Sequence, residues 1–135
     1  MLGVYLKEEG GYKIVLKSLI HYKKRLKTIG ASPELKDSSA MLGTLLQQEA
    51  TKTIPKIDEM IKNIQEGLTD IKLLNSLNKD SAFLLKALLC YESDIKKAQD
   101  TGHAYFLKLV EDLSLVKNDL ELIKDALNKI REFSV

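Results

Sequence analysis

The sequence predicts an all-α protein: an up-down-up-down antiparallel four-helix bundle built from two αα-hairpins, with a short helical segment at the N-terminus. Three observations point that way. Apolar residues recur at alternating steps of three and four near both ends of the chain, the spacing of a helical seam. Only two prolines and seven glycines interrupt 135 residues, so long elements are expected. Start and stop residues fall between the periodic runs, where helix ends belong.

The first stretch, "MLGVYLKEEGGYKIVL", admits two readings. Gly10-Gly11 could turn a hairpin between short strands at 4–6 and 12–16. Alternatively it breaks a helical segment, since Leu2, Tyr5, Glu9 and Tyr12 step 3,4,3, although Glu9 is a polar member of that row. Two adjacent glycines cost about 2 kcal/mol inside a helix, so a break there is expected. The first long helix carries Tyr12, Val15, Leu19, Tyr22, Leu26 and Ile29, and Gly30 fits the left-handed position that ends it. Ser32, Pro33 and Glu34 then read as cap, first position and first turn of a second helix over about 33–68. Its inward residues are Leu42, Leu46, Ala50, Thr53, Ile57, Ile61, Ile64 and Leu68, and Pro55 predicts a kink near 51–55. A short helical stretch from Thr69, its candidate cap, precedes the third long helix, with Leu84, Leu88, Tyr91, Ile95 and Ala98 inward, Asp80 or Ser81 as cap and Gly102 as end. The last helix is expected over 103–133, roughly 45 Å long. Its stripe is Phe106, Leu109, Leu113, Val116, Leu120, Ile123, Leu127 and Ile130.

A shift of 69 residues lays "LKSLIHY" over "LKALLCY" and Val15, Leu19, Tyr22, Leu26 and Ile29 over Leu84, Leu88, Tyr91, Ile95 and Ala98. Gly10-Gly11 then falls on Lys79-Asp80, where no hairpin is suggested, and this favours the helical reading of the N-terminus. The chain reads as a single domain, 1–135, with a pseudo-repeat of 1–68 and 69–135. In an up-down-up-down bundle the first and third helices run parallel across the diagonal, and Tyr22 and Tyr91 meet in the middle of the core.

Hydrophobic residues make up 44% of the chain and charged residues 30%, which suits a folded domain rather than a disordered one. Net charge is +2, too small to argue for nucleic acid. Residues 1–36 nevertheless hold eight Lys/Arg against three Glu, and Lys23, Lys24, Arg25 and Lys27 form the densest basic block. One cysteine, Cys90, cannot form an internal disulfide. No apolar run approaches the ~20 residues of a membrane span, and the N-terminus lacks the pattern of a signal peptide. A cytoplasmic location without membrane contact is therefore expected.

Chemistry-bearing motifs are scarce. A ferritin-like di-iron bundle needs carboxylates from all four helices and Glu-x-x-His on two. His21 is preceded three residues back by Ser18 and His103 by Asp100, so the pattern fails, and no zinc-protease, EF-hand or paired-cysteine spacing occurs. No phosphate-binding glycine loop or nucleic-acid recognition pattern is present. No catalytic, cofactor-binding or metal residues and no cofactor are therefore assigned. His21 falls at an outward heptad position and reads as a surface histidine; Cys90, its repeat equivalent, reads as a small filler. Glu49 lies beside the apolar stripe of the second helix, and a polar pocket of Glu49, Thr53, Tyr22 and Tyr91 is one candidate site.

Leu115 and Leu122 in the last helix, and Ile20 and Leu89 in the first and third, fall outside the seam and are the candidate interface. The leading expectation is a non-enzymatic helical protein-interaction module that self-associates as a dimer. The alternatives are a bundle that binds a small molecule or metal near Glu49, and a weak binder of an acidic or phosphate-bearing partner through Lys23, Lys24, Arg25 and Lys27.

Overall fold

The computed structural model describes residues 2–36 and 38–133, with the side chain of Leu115 outside that description. The protein is all-α, and no strand occurs among the described residues. The N-terminus forms a helical turn over Val4–Glu8, which packs Tyr5 and Leu6 into the core. Both glycines after it have a physical reason. Gly10 sits at φ +76°, a left-handed conformation that side chains disfavour. Gly11 has an ordinary φ, but a Cβ there would lie 2.3 Å from the ring of Tyr5. The chain breaks at the glycines without turning into a hairpin.

Four long legs make the bundle. The first is α1 (Tyr12–Lys27), the second α2 (Ala40–Gly67). A short α3 (Ile71–Ser76) leads into α4 (Ser81–Thr101), the third leg. The fourth leg is made of α5 (Ala104–Val110), α6 (Leu113–Val116) and α7 (Asp119–Phe133). The core stripes of α1 and α4 pack directly on each other, α2 lies against α1, and α4 is covered on another side by α5 and α7. Gly3 N donates to Asn75 Oδ1 (2.9 Å), and His21 meets Asp94 (2.7 Å). The segment before α1 thus meets the segment before α4, and α1 meets α4 further along at nearly the same sequence separation, 72 and 73, so α1 and α4 run parallel, as adjacent helices rather than across an open diagonal. No described helix is long and apolar enough to cross a membrane.

Several boundaries move from their sequence positions. The expected end at Gly30 is replaced by a tight 3₁₀ turn, Ile29–Ala31, because α1 already stops at Lys27. Ser32 does cap, accepting from Glu34 N, but only a single turn, Pro33–Leu35. The second long helix starts seven residues later than expected, capped by Ser39 on Leu42 N (3.2 Å). It continues through Pro55 without leaving helical geometry, and Pro55 is exposed, so water can reach the carbonyls it frees. Asp70, rather than Thr69, caps α3. Gly102 ends α4 in the left-handed region, as expected.

The largest difference lies in the last leg. Its stripe is buried or half-buried throughout, from Phe106 to Ile130, yet the helix is interrupted after Val110. Glu111 takes φ +64°. Asp112 Oδ1 then accepts from both Ser114 N (3.0 Å) and Ser114 Oγ (2.6 Å), restarting the helix as a cap. A short acidic side chain competing for backbone donors is the local cause.

Candidate functional site

The most chemically dense part of the molecule is a buried polar cluster between α1, α4 and α5. At its centre is Asp94, 1% exposed. His21 Nε2 lies 2.7 Å from Asp94 Oδ2, Arg25 Nε 3.3 Å from the same oxygen, and Cys90 Sγ 3.9 Å. Cys90 and Asp94 stand one turn apart on α4, as do His21 and Arg25 on α1, so two i,i+4 pairs face each other across the parallel helices. The guanidinium of Arg25 extends outward from Asp94. Its Nη1 donates to Tyr105 OH (2.9 Å) and its Nη2 lies 3.3 Å from Glu34 Oε2, while Lys97 also reaches Glu34. The guanidinium carbon of Arg25 also lies over the rings of Tyr105 and Phe106, 5.3 and 5.5 Å from their centroids.

A second branch continues toward α7. The Tyr91 ring stacks on His21 with centroids 4.7 Å apart. Tyr91 OH donates to Asp119 Oδ2 (2.7 Å), and Lys17 Nζ lies 2.6 Å from that oxygen. Electrostatics follow from burial and these partners. Burial acts to lower the Arg25 pKa, but Asp94, Tyr105 and Glu34 raise it on balance. Burial first, and then the Asp94 carboxylate, push the Cys90 thiol up to about 12. Burial and the bond to Asp119 hold the Tyr91 hydroxyl protonated well above its ordinary range. A thiol so disposed is no ready nucleophile. Among the described residues, His21, Cys90 and Asp94 form the group whose donor types could hold a metal, with their donor atoms within 4.8 Å of one another.

These positions correct three readings of the sequence. His21 is not a surface residue: it is 4% exposed. The heptad assigned α1 a single inward stripe, but α1 packs against α2, α4, α5 and α7, so its buried arc includes Ser18, His21 and Arg25 as well. The basic block is not a free patch. Arg25 is buried on Asp94, Lys23 pairs with Asp58 (2.6 Å) and Lys24 with Glu111 (2.8 Å). Lys27 has no such pair among the described residues, and with Lys24 and Arg25 it lies in the last turn of α1, near the C-terminal carbonyls. The polar pocket around Glu49 does not form. Glu49 is exposed, and Thr53 Oγ1 donates to the Glu49 carbonyl of its own helix (2.8 Å). Tyr22 sits against Phe83, and Tyr91 belongs to the His21 cluster.

The sequence did contain a signal for the cluster. The 69-residue shift lays Arg25 on Asp94 and His21 on Cys90. Because α1 and α4 lie parallel and adjacent, repeat-equivalent residues become neighbours, and opposite charges at equivalent positions mark the contact.

A different feature stands at the α1 C-terminal end of the bundle. The first ten residues of α2 contain no buried side chain; Ala50 is the first. Met41, Leu42 and Leu45 are 75%, 43% and 52% exposed. At 100° per residue they share one side of the helix and adjoin half-buried Leu46, so the apolar face of α2 widens where its bundle support ends. Of the interface residues named from the sequence, Ile20, Leu89 and Leu122 are exposed to a similar degree, on α1, α4 and α7 respectively. Leu115 lies outside the described side chains. Comparison of the chain with family models, with curated proteins and with solved structures finds no match.

Proposed function

We propose that this chain is a non-enzymatic helical module that self-associates, with the first turns of α2 as the contact and a second copy of the chain as its occupant. The observation that supports it is the exposed apolar face of Met41, Leu42 and Leu45. The first ten residues of α2 carry no buried side chain, so this face of the helix has little packing within one copy. A second copy, presenting the same face in reverse, supplies that packing through a two-fold contact. Ile20, Leu89 and Leu122 lie on separate helices, and single exposed apolar side chains need no partner.

The energetics indicate a reversible dimer. Burying a Leu or Met side chain is worth about 1.5–3 kcal/mol. Weighted by exposure, the three residues offer about 3–5 kcal/mol per copy and twice that in a pair. Association costs about 4–15 kcal/mol of lost freedom. Gain and cost are of the same order, which favours a weak contact that dissociates on dilution over an obligate one.

Light scattering across a dilution series tests this. The expected result is a dimer that becomes a monomer on dilution, and a Leu42→Asp/Leu45→Asp variant that stays monomeric with unchanged helical circular dichroism. A strict monomer at millimolar concentration refutes self-association. A dimer that survives the double variant but is dissolved by Leu122→Asp refutes α2 as the contact.

A further inference from the structure

We propose that His21, Cys90 and Asp94 form a binding site for a divalent transition ion, zinc by donor chemistry. The three residues present an imidazole nitrogen, a thiol sulfur and a carboxylate oxygen from two parallel helices, with donor atoms within 4.8 Å of one another. Mixed nitrogen and sulfur donors in a small cluster select tetrahedral Zn²⁺ over the oxygen-preferring Mg²⁺ and Ca²⁺.

Binding needs small adjustments of these separations, because the His21–Cys90 pair is held only to within 4.8 Å and the other two pairs lie on either side of the required spacing. Around Zn²⁺, bonds of about 2.0–2.3 Å put neighbouring donors about 3.3–3.8 Å apart. Cys90 Sγ and Asp94 Oδ2 already stand at 3.9 Å. His21 Nε2 and Asp94 Oδ2, at 2.7 Å, are held together by a hydrogen bond and must part by about half an ångström. Three protein ligands leave a fourth position. A cleft of about 80 Å³, lined by Ile20, His21, Tyr91 and Val110, adjoins the site on its His21 side and has room for water, whereas Cys90 and Asp94 do not line it.

Proton balance is simple. Cys90 releases its thiol proton to solvent and binds as thiolate. His21 gives up any proton on Nε2, to Nδ1 or to solvent, and binds through that nitrogen. Asp94 binds as the carboxylate it already is beside Arg25.

The buried thiol of Cys90 gives up its proton reluctantly, and Arg25 also opposes an ion, since its guanidinium contacts the ligating carboxylate. Glu34 on its outer edge offsets that charge, and a ligating carboxylate is commonly oriented by an outer hydrogen-bond donor. The net effect is an affinity below that of an all-cysteine site, raised when Arg25 is made neutral.

Cobalt(II) titration of the purified chain tests the site through its thiolate-to-cobalt charge-transfer band, with zinc as competitor. The expected result is one equivalent of Co²⁺ with that band, displacement by Zn²⁺, and a higher thermal midpoint with Zn²⁺. Cys90→Ser removes the band, His21→Gln weakens Co²⁺ on the order of tenfold or more, and Arg25→Gln tightens it. Circular dichroism confirms that each variant is folded, and Cys90→Ser, nearly isosteric, is the control if the others unfold. The proposal is overturned if the folded wild-type chain shows no thiolate band at millimolar Co²⁺, or if His21→Gln binds as tightly as wild type.

Discussion

Replacing Asp94 by Asn tests how far the fold depends on the ion pair at its centre. The change preserves shape and removes charge. Asp94 is 1% exposed and receives His21, Arg25 and Cys90 on one oxygen. In the variant, buried Arg25 keeps Tyr105 OH and only one acidic partner, Glu34, whose side chain is 47% exposed and screened by water. Removing one partner of a buried pair costs about 3–5 kcal/mol, because the other charge stays behind uncompensated. With Glu34 and Tyr105 retaining part of the guanidinium's bonding, the lower end, about 3 kcal/mol, is expected. In urea, with a slope of about 2 kcal/mol per molar, the unfolding midpoint falls by about 1.5 M at unchanged slope. Arg25→Met should cost a similar amount. The Asp94→Asn/Arg25→Met double variant should cost less than the two singles together by more than about 1 kcal/mol, since the second change removes the orphaned charge. A midpoint shift below about 0.25 M for Asp94→Asn, or strictly additive singles, would refute the reasoning.

Further outcomes follow from the N-terminal turn. Gly11→Ala drives a methyl into the Tyr5 ring and should lower stability by about 1–3 kcal/mol, with Tyr5→Leu relieving most of that loss in the double variant; equal stability of Gly11→Ala and wild type by urea titration would count against the packing described. Burial, with Asp125 and Glu9 nearby, raises the pKa of Tyr5 above its ordinary value. Its folded pKa exceeds its unfolded one, so this contribution is intact below about pH 10 and is lost as the pH rises toward the folded value. Tyr5→Phe should therefore be less sensitive than wild type to a change from about pH 8 to pH 11, measured by urea midpoints; parallel pH profiles would contradict it.

Much of the core was legible before any coordinates. Val15, Leu19, Leu84, Leu88, Ile95, Ile123 and Ile130 are all buried, because a period of 3.6 residues places them on one side of a helix whatever it packs against. The stripe from Phe106 to Ile130 stayed inward even though Glu111 and Asp112 break its helix, since burial of apolar groups is insensitive to a local change of path. Ser39 and Asp70 as starting caps, in place of Ser32 and Thr69, show the ordinary weakness of local signals: several capping residues stand close together, and packing selects among them.

Sequence by itself determined most of the apolar residues that avoid water along each leg, and where the chain needs glycine. It did not determine how many neighbours a leg has. One heptad stripe describes a helix with one partner side, whereas α1 is surrounded by α2, α4, α5 and α7, and so His21 and Arg25 are drawn inside with Asp94 and Cys90. The converse holds at α2, where Leu42 carries the pattern of an inward residue but lies beyond the body that would cover it. Burial depends on what stands opposite a side chain, and residues 69 positions apart become opposite only when the legs assemble.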